Sequence, residues 1–261
     1  MATQPLASIH PEAVIGKNVE IGPFVFIDKN VVIGDNCWIG PSVSIMSGAR
    51  IGNNCRIFPG AVISGIPQDL KFHGEETTAE IGDNTTVREC VTINRGTVDK
   101  HKTVVGKNCL LMAYVHVAHD CLIGDNVILA NSVNLAGHVI IEDHAILEGL
   151  AAVQQFVRIG AHAFITGGSK VRKNVPPFVK AAREPLSYVG VNAVGLRRRG
   201  FSNETVLQIE DIYRTLYVRG YNVSNALNIV EKEAPNSAER NQIIDFIRNS
   251  PDGIMRGASA D

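Results

Sequence analysis

The sequence predicts a mainly β chain, a parallel β-helix followed by an α-helical segment, and three observations carry that prediction. An aliphatic residue recurs at every sixth position from Ile9 to Val171, so that 25 of the 28 slots hold Ile, Leu or Val. A smaller residue stands four places after most slots, as in Val19, Cys37, Ala49, Cys109, Val127 and Ala163. Beyond Pro176-Pro177 the six-residue period stops and helical spacing replaces it. A period of six fits neither an amphipathic helix nor a long surface strand, whereas short strands joined by tight corners produce it. Three hexads per turn place residues i and i+18 above one another at about 4.8 Å. Each buried Ile or Val then contributes on the order of 1.5–3 kcal/mol, and the core is built one coil at a time.

The first hexads run without a break from Ile9 to Ile63. They stop at Ser64 to Glu80, where Gly65, Pro67 and Gly74 and polar residues at both skipped slots predict an external loop near 64–80. A second excursion near 95–103 carries Asp99 where an aliphatic residue is due. Loops that interrupt a regular solenoid are disproportionately functional. The period alone leaves open whether each loop replaces part of a coil or is added to it. From Val105 to Val171 the repeat is regular again. Asn174-Val175-Pro176-Pro177 should continue neither a ladder nor a helix, which sets a β-helix domain at 1–178 and a helical domain at 186–261. In the latter, Ser202 is an expected N-cap with Glu204 in the first turn. Val206, Ile209, Tyr213, Leu216 and Tyr217 mark one helical face as far as Gly220. Ser224 to Glu233 and Ser237 to Asn249 read as two more helices, and the whole segment should cap the open end of the prism.

A chain of 261 residues has room for one solenoid and a smaller domain, and its net charge of −1 points away from nucleic acid or an anionic membrane as partner. No apolar run reaches the roughly 18 residues of a transmembrane span, and the repeat begins without a signal peptide, so a cytoplasmic location is expected. Cys37, Cys55, Cys109 and Cys121 occupy the small interior position and read as buried thiols; only Cys90 breaks the pattern.

Chemistry concentrates in Tyr114 to His138. His119, Gly137 and Gln155 are spaced by three hexads and should form a vertical ladder at one corner; Asp120, His138 and Phe156 form the next, and His144 stacks on His162. Single polar residues on corners of a β-helix are usually only solvated. A His beside an Asp with a Gly one coil above suits a general base and an oxyanion-binding N–H. Two other readings stay open at this point: a zinc site built from His116, His119 and His138, as in γ-type carbonic anhydrases, and a scaffold without catalysis. His10, His73 and His101 read as solvated residues.

These residues also carry a resemblance. The hexads, Gln68-Asp69-Leu70-Lys71, Val91 to Thr97, His116-Val117-Ala118-His119-Asp120, Leu135-Ala136-Gly137-His138, Gln155-Phe156 and Gly195 to Phe201 resemble, over nearly the whole chain, the acyl-carrier-protein-dependent UDP-N-acetylglucosamine O-acyltransferases of lipid A biosynthesis. The resemblance implies a left-handed β-helix assembled as a homotrimer with sites between subunits, acting without metal or other cofactor. It implies transfer of a 3-hydroxyacyl chain from acyl carrier protein to the 3-position of UDP-N-acetylglucosamine. By the same resemblance His119 is the general base, Asp120 its orienting partner and Gly137 the oxyanion donor. His116, His138 and Gln155 fall among the substrate-binding residues, with Gln68, Asp69 and Lys71 at the sugar and phosphates. Asn192, Arg198 and Arg199 serve the uridine diphosphate and the carrier. Gly167 corresponds to the end stop of the acyl chain, where an absent side chain would admit about fourteen carbons or more. Gln154, Asn94 and Val194 depart from the family pattern. Read from the residues alone, Arg197 to Arg199 are equally a solvated basic corner, and Gly167-Gly168 equally a corner of unusual dihedrals.

Overall fold

The computed structural model describes residues 2–3 and 6–257. Three sheets of 12, 9 and 8 strands, parallel but for one antiparallel pair in the first, form the faces of a prism. Most strands are two residues long and pair with the strand three hexads further along, as Leu122–Ile123 does with Ile140–Ile141. Face A carries Leu110–Leu111, Ile128–Leu129 and Ile146–Leu147. Face B carries Thr92–Asn94, His116–Val117 and Asn134–Leu135, and face C carries Lys102–Val105 and Leu122–Ile123.

The residue at every sixth position points inward, and from Ile21 to Val171 those that hold the phase are no more than 3% exposed. The smaller residue four places later fills the axis beside it, and the predicted interior cysteines obey this rule. Cys37, Cys55, Cys109 and Cys121 are buried free thiols, while Cys90 is exposed. Each of the four donates its S–H to a carbonyl of the next coil, as Cys121 does to Ala136 at 3.2 Å.

The corners obey a rule that the hydrophobic period does not reveal. The third residue after the slot takes a left-handed conformation coil after coil, whether it is Asn18, Asn126, Asp120, His138, His144 or Phe156. Asn and Asp tolerate that region best among non-glycine residues. The glycine directly after the slot serves close approach instead. A Cβ on Gly82 would lie 2.7 Å from the Gly106 carbonyl carbon of the next coil.

Both interruptions are additions to complete coils. Val62 pairs with Thr92, five hexads on, and Thr92 pairs with His116, four hexads on, where an uninterrupted coil needs three. The chain therefore gains two hexads and then one, and both insertions leave face B and return to face C at the same corner.

The end of the repeat differs from expectation. Val175 still bridges Ile159, and Val179–Ala182 extends face A beside Phe164–Ile165. Pro176 and Pro177 fall on a corner, where the missing N–H costs no ladder bond. Face A then continues through the antiparallel strand Ser187–Val191 and the parallel strand Arg256–Gly257, neither legible in the periodicity.

Four helices follow: α1 Ala193–Arg198, α2 Asn203–Tyr217, α3 Val223–Glu233 and α4 Ala238–Arg248. Ser202 caps α2 by accepting the Thr205 N–H, as expected, and Ser237 caps α4. Helix α3 starts after Asn222, and the short α1 is additional to the three expected helices. The buried face of α2 includes Val206, Ile209, Tyr213 and Leu216, and the Tyr213 hydroxyl donates to the Pro177 carbonyl at 2.6 Å. Arg158 of the solenoid lays its guanidinium over Phe246 of α4. This segment thus covers the last coils. Among the described residues no helix is long and apolar enough to cross a membrane.

Candidate active site

The corner between faces B and C gathers the predicted catalytic residues. His119 and Asp120 follow the strand His116–Val117, and Gly137 and His138 follow Asn134–Leu135 one coil later. His119 is 8% exposed and Asp120 fully buried, and Nδ1 of His119 lies 2.8 Å from Oδ2 of Asp120. A carboxylate only accepts, so Nδ1 carries the proton and Nε2 is left as the acceptor.

Asp120 is held from every side. Its two oxygens accept the Thr97 N–H at 3.0 Å, the Thr97 hydroxyl at 2.6 Å and the Lys100 N–H at 3.3 Å, all from the one-hexad insertion. Its own N–H donates to Oγ1 of Thr103 at 2.8 Å. Burial pushes this carboxyl up, but the donors, Thr97 and His119 foremost, outweigh burial and hold it below the ordinary carboxylate value. Asp120 is therefore an anion at neutral pH.

Gly137 is required by the ring beneath it. A Cβ there would lie 2.6 Å from Cε1 and 2.7 Å from Nε2 of His119. Among the described residues its N–H, like those two places after the slot at Ser47, Ala113 and Gln155, is not used by the fold. Along the corner between faces C and A, the equivalent N–H groups of Lys17, Asp35, Asn53, Lys107 and Asp125 donate to an Asp or Asn side chain of the next coil. At Gly137 the next coil offers Gln155, and among the described residues no acceptor takes this N–H.

Around this pair, His138 stands edge-on to His119, with ring centroids 5.1 Å apart, and stacks on Phe156 at 4.7 Å. The ladder expected from the three-hexad spacing is therefore present. Asp99, from the insertion, reaches Nδ1 of His138 at an ion-pair distance of 3.1 Å. His116 shares a hydrogen bond with Oγ1 of Thr92 at 2.7 Å, and burial, then the neighbouring His119, lowers its pKa so that it stays neutral. Thr92, Thr97, Asp99, Lys100 and Thr103 are not among the predicted site residues, although Thr92 and Thr97 fall within the Val91 to Thr97 motif. For the others the signal in the sequence is Asp99 at an aliphatic slot.

The other predicted residues lie elsewhere on the same chain. Gln68, Asp69 and Lys71 are in the two-hexad insertion, where Asp69 accepts the Lys71 N–H at 2.9 Å; Gln68 and Lys71 are exposed. Gln155 is exposed on the catalytic corner one coil beyond Gly137. Asn192 caps α1 and donates to the His162 carbonyl, at the corner between faces C and A. Arg198 lines a cavity of about 280 Å³ with Ile146, Phe164, Lys180, Asn192 and Val194. Arg199 turns away and donates to the His144 carbonyl at 3.0 Å. Gly167 lies at the third corner, between faces A and B. Its φ is ordinary, and a Cβ there would meet nothing closer than 3.2 Å, whereas Gly168 has φ +70°. The unusual dihedral thus belongs to Gly168 alone. The residues of the predicted site occupy three different edges of one prism.

Among the described residues, metal-type donors converge only at His119, Asp120 and His138, whose ligand atoms lie within 4.8 Å of one another. His116 is outside this group, and Asp120 Oδ2 is already engaged by His119 and Thr97.

Comparison with known proteins agrees with this geometry. Residues 174–255 match the family model for domain 2 of UDP-N-acetylglucosamine O-acyltransferase. Residues 102–137 match the bacterial transferase hexapeptide, and residues 3–109 match the C-terminal domain of GMPPB. The acyl-[acyl-carrier-protein]–UDP-N-acetylglucosamine O-acyltransferase of Chlorobaculum parvum is 56% identical, over 95% of this chain and 97% of its own. That of Sulfurihydrogenibium is also 56% identical, over 97% and 96%. Among solved structures, the UDP-N-acetylglucosamine acyltransferase of Bacteroides fragilis is 57% identical with a TM-score of 0.96, covering 97% of this chain and 99% of its own. That of Francisella novicida is 40% identical with a TM-score of 0.95, covering 98% and 95%. The solenoid is the left-handed parallel β-helix of these enzymes. With more than half of its residues shared over nearly its whole length, this chain belongs to the family of acyl-carrier-protein-dependent UDP-N-acetylglucosamine O-acyltransferases.

Proposed function

We propose that this protein transfers a 3-hydroxyacyl chain from acyl carrier protein to the 3-hydroxyl of UDP-N-acetylglucosamine, the opening step of lipid A assembly. The observation that carries this reading is the buried His119–Asp120 pair beside a Gly137 N–H that no protein acceptor among the described residues occupies. Nε2 of His119 takes the proton of the sugar hydroxyl as its oxygen attacks the thioester carbon. The Gly137 N–H stabilises the oxyanion, worth about 10²–10³ in rate for one such donor. Collapse breaks the carbon–sulfur bond, and the carrier thiolate takes the proton back from His119. Asp120 remains ionised throughout and stabilises the imidazolium. His116, His138 and Gln155 line the sugar. Gln68, Asp69 and Lys71 reach it from the two-hexad insertion, and Asn192 and Arg198, which line one cavity, form the nucleotide end, with Arg199 held against the solenoid beside it.

A homotrimer is part of this reading, and the placement of these groups supports it. Gly137, Gly167 and Arg198 sit on different edges or faces of one prism, and copies related by a closed threefold axis bring such edges together. Gly167 is proposed as the end of the acyl groove, since its backbone does not require glycine.

The test is incubation with UDP-N-acetylglucosamine and 3-hydroxyacyl carrier proteins of graded chain length, with products identified by mass spectrometry. A 3-O-acylated sugar nucleotide is expected. Absence of any acylated product across the series would overturn the reading.

A further inference from the structure

We infer that Thr97 is a positioning residue for this reaction, clamping Asp120 so that His119 keeps its acceptor nitrogen toward the substrate. The inference rests on the reading of His119 as the base. It starts from what the one-hexad insertion does not do. The coil that carries it pairs across four hexads and still keeps every slot in phase, and the next coil closes in the usual three, so the ladder does not need it. At its one hexad slot stands Asp99 instead of an aliphatic residue, and its one large apolar residue, Val98, is 57% exposed. What the insertion buries is Thr97, at 8% exposure, against a fully buried carboxylate.

Thr97 grips both carboxylate oxygens. Its N–H donates to Oδ1 at 3.0 Å and its hydroxyl to Oδ2 at 2.6 Å, the oxygen that also accepts from His119. Two donors on opposite oxygens fix the rotation of the carboxylate plane, and that plane aims Nδ1 of His119. Since the carboxylate has no proton to give, the Thr97 hydroxyl must be the donor. Hydrogen bonds to charged groups are the strong ones. With the hydroxyl gone, Oδ1 keeps the Thr97 and Lys100 N–H groups but Oδ2 keeps only His119, so the oxygen that aims the imidazole loses the donor that fixes its place.

The experiment uses Thr97→Val, which keeps the shape and removes the donor, and Thr97→Ser, which keeps the donor; Thr97→Ala stands in if the valine variant does not fold. Thr97→Val should lower kcat by about tenfold or more while KM for both substrates stays within about twofold, the signature of an interaction felt in the transition state. Thr97→Ser should restore kcat. In an Asp120→Asn background the valine substitution should have no further effect, because Thr97 acts through that carboxylate. Nitrogen NMR of the His119 ring supplies a readout that needs no turnover: a fixed Nδ1–H tautomer in the native protein and a mixture in Thr97→Val. If the native protein fails to turn over while the NMR prediction holds, the proposed reaction fails and the positioning role stands. A kcat within twofold of native in Thr97→Val, effects additive with Asp120→Asn, or an unchanged tautomer would overturn the inference.

Discussion

Replacing Gly137 by Ala separates the chemistry of this corner from its folding. Gly137 has ordinary dihedrals, so alanine introduces no backbone strain there. The added methyl would sit 2.6 Å from Cε1 and 2.7 Å from Nε2 of His119, whereas ordinary contact begins at 3.4 Å. Subtracting the shorter distance from ordinary contact gives a displacement of about 0.8 Å for the ring, away from Gly137 and against its tether to Asp120. A misplacement of about 1 Å can cost on the order of 10²-fold, and full loss of a general base about 10²–10⁴-fold. The expected fall in kcat is therefore about 10²–10³. Overpacking a corner should cost about 1 kcal/mol, the low end of the range for crowded cores. Steady-state assays and a thermal melt on the same preparation give both numbers. A Gly137→Ala enzyme within threefold of native kcat would refute the claim that His119 must stay where it is. Loss of the fold would refute the claim that this corner is chemical rather than structural.

Three further expectations follow from other corners. Gly167→Met, whose Cβ would press to 3.2 Å on the Gly149 carbonyl and needs only a small local shift, should move chain preference several carbons shorter with kcat retained on the preferred chain; unchanged preference in a folded variant would place the ruler elsewhere. The pKa of His162 is lowered from 6.5 to about 4 by burial, then by His144 and Arg199, so the unfolded state binds a proton that the folded state excludes. Stability should therefore fall as pH drops from about 6.5 toward 4, and His162→Phe, which keeps the stack on His144 and Phe178, should flatten that slope in thermal melts. Light scattering at micromolar concentration should give about three times the 28.2 kDa chain mass, and a monomer would contradict a site assembled from several edges.

The solenoid was legible because its physics is repetitive. A single aliphatic slot, read 25 times, fixes strand positions, the interior face and the vertical neighbours three hexads away. For that reason the ladder His119, Gly137 and Gln155 could be placed from spacing alone. The same logic fails where residues are inserted, because an insertion erases the register it interrupts. Thr97 lies 23 residues from Asp120, a distance that means contact only once the added hexad is known to extend a coil rather than replace part of one. The strands Ser187–Val191 and Arg256–Gly257 were illegible for a different reason: the first folds back as a hairpin on Val179–Ala182 and the second pairs Arg256 with Ser187 from 69 residues away, neither with a hexad to announce it. Motif matching also groups Arg198 with Arg199. Only the structure separates them, since on the short helix α1 and its cap, consecutive side chains point to different surroundings.

The central claim is that His119 removes the proton from the acceptor sugar, and the most direct test is single-variant kinetics on His119→Ala. Its side chain lies on a corner outside the axial core, so the melt and the oligomer mass should match those of the native protein. With saturating UDP-N-acetylglucosamine and 3-hydroxyacyl carrier protein, kcat should fall by about 10²–10⁴, with the residual rate supplied by the Gly137 N–H and binding alone. A folded His119→Ala protein that turns over at the native rate would contradict the account.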